Sequence, residues 1–295
     1  MTHAYHVVDV FAERPLAGNP LAVVLGAGDL DAGAMLRIAG EMNLSETAFL
    51  GSGPEADGGY RVRIFTPARE IAFAGHPILG AAWVIRERLA QGRPGTVRLD
   101  LGVGQVPVTF EAAAGGAEQA WLRAPAVTLG PVCAPERIAA ALLLGVPDLD
   151  PRTPVQVASA GVAAMIVPLR RLAALRRCRL DLQAFAPLAM EGFPPLVYPF
   201  CAETHHAGNH LCARFFFEAH GVREDPAAGN AAAFLGAYLL EHGSFNSSGL
   251  DLRIEQGYEI GRPSLVLLRA RRLPGGEDIR VGGRVIAAAE GRLLV

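Results

Sequence analysis

Ala74-Gly75-His76-Pro77-Ile78-Leu79-Gly80-Ala81 and Ala228-Gly229-Asn230-Ala231-Ala232-Ala233-Phe234-Leu235-Gly236-Ala237 follow one pattern. In each, an Ala-Gly pair opens an apolar stretch that contains a Leu-Gly-Ala step. Pro77 suits the first turn of a helix, where a backbone N–H has no intrahelical partner to lose. Two such apolar helices predict two related halves, one built around each. Ionisable residues stand near both helix starts: His76 at the first and Asp225 just before the second. Asn43-Leu44-Ser45-Glu46-Thr47 places a further carboxyl next to a turn. This layout suits two domains that close on a small molecule and move a proton on it.

Working outward from the first helix, which the pattern carries to about residue 92, strand-like runs lie at 5–11, 21–25, 47–50, 60–66, 96–101 and 106–110. Asp31 is placed to cap a helix reaching Met42. Around the second apolar helix, 230–242, strands are predicted at 155–157, 163–169, 196–200, 211–217, 250–256, 264–270 and 281–289. Helices are predicted at 135–144 and 181–190. Strands that surround a helix, instead of alternating with helices, argue against a doubly wound sheet. The expected class is therefore α+β, with two pseudo-symmetric domains, each a mixed β-sheet or barrel wrapped around a central helix. The expected domains are 1–124 and 125–295, with the last strand free to pack back on the first domain.

Composition narrows the chemistry. At 295 residues, with half of them apolar, the chain can fill two cores. All 27 residues in the Lys+Arg count are arginine. Without lysine there is no pyridoxal-phosphate Schiff base and no P-loop. The net charge of −2 and the lack of a long basic run argue against a nucleic-acid partner. The densest basic stretch, 170–179, reads as the solvated face of a helix. Cys133, Cys178, Cys201 and Cys212 show no paired spacing and read as free thiols in a reducing compartment. No signal-peptide pattern is visible, and no apolar run reaches the roughly 18 residues that would span a bilayer. A cytoplasmic protein with no membrane partner is expected. His205, His206 and His210 read as part of a polar loop in preference to a metal site. No G-x-G-x-x-G follows a strand, and Ser45 lacks the elbow of a hydrolase nucleophile.

Five motifs run in order through the chain: Leu16-Ala17-Gly18-Asn19-Pro20, Asn43-Leu44-Ser45-Glu46-Thr47-Ala48-Phe49, Phe73-Ala74-Gly75-His76-Pro77, Glu224-Asp225-Pro226, and Glu255-Gln256-Gly257-Tyr258-Glu259-Ile260-Gly261-Arg262-Pro263-Ser264. Together they resemble the PhzF-type phenazine-biosynthesis family over essentially the whole chain. The resemblance implies the diaminopimelate-epimerase-like fold, with an active site between the domains at the N-termini of the central helices. It also implies a homodimer and no metal, flavin or nucleotide cofactor.

Moving a proton between carbons requires a base that also serves as an acid, with a pKa near the working pH. Read alone, Glu46 is a capping or strand-end glutamate, His76 a helix-start histidine, and Asp225 a helix cap. The resemblance implies instead that Glu46 removes and returns the proton, assisted by His76 and Asp225. It places Ser45, Gly75, Gly229 and Asn230 against the substrate, with the backbone N–H groups of Gly75 and Gly229 able to hold a carboxylate.

Two positions depart from related patterns. The cysteines that precede the helix glycines in the amino-acid epimerases of this fold are replaced by Ala74 and Ala228, which excludes racemisation by a thiol pair. The PhzF pattern Asp-Pro-Ala-Thr-Gly-Ser reads here Asp225-Pro226-Ala227-Ala228-Gly229-Asn230. The expected function is a cofactor-independent isomerase that shifts a proton within a small carboxylated cyclic or amino-bearing metabolite. The alternative is a catalytically silent member of the fold that binds a metabolite or a protein.

Overall fold

The computed structural model describes residues 2–113, 116–217, 224–243 and 249–295. Its chain divides into two compact units, Met1–Arg123 with Gly282–Val295, and Ala124–Val281.

In the first unit, β1 (Thr2–Val10) runs antiparallel to β2 (Asn19–Val24). After α1 (Ala32–Met42), β3 (Thr47–Pro54) lies parallel to β2. β4 (Tyr60–Phe65) pairs with β3, and the short β5 (Glu70–Ile71) pairs with the end of β4. Then come α2 (Gly75–Val84) and a meander of β6 (Thr96–Leu101), β7 (Gly104–Ala112) and β8 (Glu118–Arg123).

The second unit contains β9 (Thr128–Cys133), α3 (Pro135–Ala141), β10 (Val155–Ala160), β11 (Val162–Pro168), α4 (Leu172–Arg177), α5 (Leu182–Met190), β12 (Val197–Cys201) and β13 (Leu211–Ala213). It continues with α6 (Gly229–Glu241), β14 (Gly249–Gln256), β15 (Ser264–Leu273) and β16 (Gly276–Gly283), whose last two residues belong to the first unit. Parallel pairs, β11–β12 and β13–β14, mix with antiparallel ones such as β10–β11 and β14–β15. The α+β class and the mixed sheets are as the sequence predicts.

The last strand, β17 (Val285–Leu294), pairs antiparallel with β1 from Leu294 opposite Thr2 to Val285 opposite Val10. That pairing puts 282–295 in the first unit, the return that the sequence-based division left open.

Each unit is built on its apolar helix. α2 packs on β1, β2, β3, β6, β7, β8 and β17, and nine of its ten residues are buried. α6 packs on β9, β10, β11, β14 and β15. The repeated Leu-Gly-Ala step has a steric cause. A Cβ on Gly80 would fall 2.6 Å from Leu21, 3.0 Å from Val10 and 3.1 Å from Val8, so glycine lets α2 lie close on β1 and β2. A Cβ on Gly236 would meet Leu268 at 3.0 Å, with Ile279 and Ala270 next, where α6 lies on β15 and β16. α1 covers another face with Met35, Ile38 and Ala39 against Val24, Phe49 and Phe65. Its N-cap is the predicted Asp31, whose Oδ1 accepts from Ala34 N–H at 2.7 Å, a contact worth about 1 kcal/mol.

Some boundaries differ from the sequence reading. The predicted strand at 281–289 is the end of β16 and the start of β17, separated at Arg284. At that break Gly282 lies against Trp121, where a Cβ would sit 2.4 Å from the ring. The predicted strand at 211–217 stops at Ala213, because Arg214 turns into a buried ion pair, and Phe216 makes only isolated bridges. The helix predicted to about residue 92 is α2 followed by a π-helical turn, Ile85–Leu89. β8 and β9, on either side of Ala124-Pro125, and the short β5 were not predicted.

Candidate active site

In the first unit, Gly18 makes the approach to β2 (φ +70°) so tightly that a Cβ would fall 2.4 Å from the Val10 carbonyl. Buried Asp9 braces the same turn, its carboxylate accepting from Leu16 N–H at 2.8 Å. The turn delivers Asn19, fully buried, with its amide nitrogen 3.3 Å from His76 Nδ1. His76 is the second residue of α2, and its Nε2 stands 3.3 Å from Glu46 Oε2. Glu46 reaches that point because Asn43 ends α1 in the left-handed conformation (φ 50°) and turns the chain through Ser45 into β3. The structure thus brings Asn19, His76 and Glu46 into one row. His76 is 5% exposed and Glu46 16%, so Glu46 is the more open end of the row.

Burial pulls the pKa of His76 from 6.5 down to about 3, because the imidazolium would lose its hydration. The contact with Glu46 is therefore a carboxyl group facing a neutral imidazole. An amide that donates to Nδ1 leaves the ring proton on Nε2, toward Glu46. His76 should keep this neutral Nε2–H form from about pH 8 to about pH 5, read from its ring nitrogen shifts by NMR. A titration near 6.5 would overturn that assignment. The unfolded chain takes this proton near 6.5 and the folded one only near 3, so the burial of His76 weakens the fold as pH falls through that interval.

In the second unit, the turn Asp225-Pro226-Ala227-Ala228 leads into α6. Asp225 N–H donates to the Phe215 carbonyl at 2.9 Å, and Asp225 Oδ1 accepts from Ala227 N–H at 3.3 Å. Gly229 and Asn230 are the first two residues of α6, so the structure groups Asp225, Gly229 and Asn230. Both apolar helices start after an extended alanine, Ala74 or Ala228, which makes no side-chain cap. Their first-turn N–H groups are oriented as an anion-binding end.

Two structural anchors lie outside the predicted site residues. Arg214 forms a two-pronged ion pair with Glu224 at 3.0 and 2.6 Å, with both side chains 3% exposed. Gln256, fully buried at the end of β14, touches the Asp225 turn. Both Glu224 and Gln256 sit inside quoted motifs, as does Asn19. A polar residue at the end of an apolar strand was the signal available for Asn19 and Gln256. Of the three histidines read as loop residues, His205 lies with Cys212 and Glu255 in a group whose donor atoms fall within 4.8 Å of one another. The Glu255 carboxylate there accepts from the backbone N–H groups of His205 and His206 and from the Asn209 amide, at 2.6 to 2.9 Å, and so anchors that loop.

Comparison with proteins of known structure places the fold. A hydroxyproline epimerase from Agrobacterium vitis superposes with a TM-score of 0.63 at 12% identity, covering 99% of this chain and 92% of that one. The class is therefore the epimerase-like α+β fold. The model of the PhzC-PhzF family, described as phenazine biosynthesis-like protein, matches residues 8–291, and the chain belongs to that family. It is similar to the Bacillus anthracis phenazine biosynthesis protein of the PhzF family, with a TM-score of 0.90 and 28% identity over the whole of both chains. It is 37% identical to the trans-2,3-dihydro-3-hydroxyanthranilate isomerase of Pseudomonas aeruginosa, over 98% of this chain and 99% of that protein.

Proposed function

We propose that the chain is a cofactor-independent isomerase of the trans-2,3-dihydro-3-hydroxyanthranilate isomerase type, shifting a proton within a small carboxylated cyclic or amino-bearing metabolite. The observation that carries the reading is Glu46 held 3.3 Å from a buried, neutral His76 at the start of α2. Glu46 takes the proton from one carbon and returns it to another. His76, a neutral Nε2–H donor, stabilises the substrate oxygen or the carboxyl group as charge moves. Asp225 grips a substrate amine or hydroxyl, and the N–H groups at Gly75 and Gly229 hold a carboxylate. Family membership and the similarity to named isomerases support the reaction class. The homodimer belongs to the same proposal and is tested by light scattering. So does the cytoplasmic location; among the described residues no helix is long and apolar enough to cross a membrane.

The test is incubation in D₂O with a panel of small cyclic amino and hydroxy acids, trans-2,3-dihydro-3-hydroxyanthranilate included. One deuteron should enter a carbon position of the compound accepted, seen as a mass gain of one. Neither exchange nor rearranged product with any member would overturn the isomerase reading in favour of a binding protein.

Asn230 should decide which compound that is. Where the family pattern has serine, Asn230 offers a carbonyl and an NH₂ on a longer arm at the start of α6. A site built for one hydrogen-bond pattern rejects a ligand that leaves buried polar groups unpaired. Trans-2,3-dihydro-3-hydroxyanthranilate should therefore be a poor substrate, improved by Ala228→Thr with Asn230→Ser by about tenfold or more in kcat/KM. Efficient turnover by the unmodified protein would show that Asn230 does not set specificity.

A further inference from the structure

The turn Asp225-Pro226-Ala227-Ala228 carries one proposed substrate contact and launches the helix end that carries another. It is held from behind by the end of β14. Successive side chains of a strand point to opposite faces, and β14 ends on Glu255, Gln256 and then Gly257. Glu255 points to the 203–209 loop, as described above. Gln256 points to the Asp225 turn and joins its two ends. Its Nε2 donates to the Asp225 carbonyl at 2.8 Å, and its Oε1 accepts from Ala228 N–H at 3.4 Å and from the buried Tyr198 hydroxyl at 3.3 Å. Gly257 (φ +76°) lies so close under the turn that a Cβ there would fall 2.7 Å from the Pro226 carbonyl and 2.3 Å from that of Arg262. Pro226 has no N–H, so the turn cannot brace itself with a backbone bond at that residue.

We propose that Gln256 is a positioning residue: its amide fixes the Asp225 carboxylate and the N-terminal N–H groups of α6 in one geometry. The inference rests on the isomerase reading for its effect on turnover, but the clamp itself is measurable without substrate. The titratable group that donates to this amide is the Tyr198 phenol on β12; burial first, then the charges of Cys212 and Asp225, raise its pKa, so it remains a neutral donor.

The experiment compares Gln256→Leu, Gln256→Glu and a control, Tyr238→Phe, which removes another buried bond of α6, that to the Pro154 carbonyl at 2.7 Å. In substrate-free protein, amide hydrogen exchange at Ala228 and Gly229 should quicken by about tenfold or more in Gln256→Leu and stay unchanged in Tyr238→Phe. With the panel compound that the wild-type protein turns over fastest as probe, kcat should fall by about 10²-fold in Gln256→Leu and far less in the control. Gln256→Glu should recover toward wild type as pH is lowered, because only a protonated carboxyl can both donate to the Asp225 carbonyl and accept from Ala228. Unchanged exchange at Ala228 in Gln256→Leu, or a kcat loss no larger than the control's, would overturn the proposal. A wild-type protein without turnover of any panel member would fail the isomerase reading, and the exchange result alone would then decide the clamp.

Discussion

Glu46→Gln should leave the protein folded and reduce turnover by about 10²–10⁴-fold, the usual contribution of a general acid–base group. The amide keeps the size and the polar contact of the carboxyl group but cannot take a proton at working pH. The side chain is partly exposed and leads from a turn into β3, so the cost to stability should stay within about 0.5 kcal/mol. A large loss of kcat with an unchanged unfolding midpoint separates chemistry from folding. Solvent deuterium entering the substrate reports the same step without a product assay and should fall in parallel. Near-wild-type exchange in Glu46→Gln would remove this residue from the mechanism and pass the role of base to Asp225.

Arg214→Met should destabilise the second unit by about 3–5 kcal/mol, because it leaves Glu224 charged and buried without its partner. The guanidinium does more than neutralise that carboxylate. Its Nη1 also donates to the carbonyls of Leu175, Arg176 and Cys178 at 3.1, 3.3 and 2.8 Å, which closes the end of α4, and it stacks on Phe216. The units can be followed separately. Trp83 and Trp121 both lie in the first, so tryptophan fluorescence follows that unit alone; Tyr198, Tyr238 and Tyr258 lie in the second, and Tyr5 and Tyr60 in the first. Urea unfolding should therefore shift in the tyrosine near-ultraviolet circular dichroism. The double variant Arg214→Met with Glu224→Leu should regain much of the loss, since no uncompensated charge remains. A shift below about 1 kcal/mol in the single variant would mean that water or another cation reaches Glu224.

The two central helices were legible because their signal is local and unusual: an apolar run on every face, opened by Ala-Gly, with a glycine where the helix touches its sheet. Gly80 and Gly236 show why the pattern recurs; each removes a Cβ that a neighbouring strand would strike. Strand ends were less legible. Residues 281–289 read as one strand because Val281 and Val285 to Ala289 are apolar; Gly282-Gly283-Arg284 is the local mark of the break between β16 and β17. In the candidate site, Glu46, His76 and Asp225 stood in motifs that pointed to chemistry. Asn19 and Gln256 stood in the same set of motifs, but their supporting roles were not legible, because each is a contact across long sequence separation: Asn19 to His76 spans 57 residues and Gln256 to the Asp225 carbonyl spans 31. Periodicity encodes which face of an element is buried. It does not encode which buried amide meets which carbonyl.

The antiparallel pairing of β17 with β1 constrains synthesis. β1 leaves the ribosome before its partner, which is made only after all of Ala124–Val281. The second unit can thus gather its strands around α6 during translation, while one edge of β1 waits with its N–H and C=O groups unpaired. Such an edge invites pairing with other chains. The folding of the first unit should accordingly be the step most sensitive to crowding by nascent chains, and a chaperone that shields 2–10 should raise the yield more than one that binds the second unit.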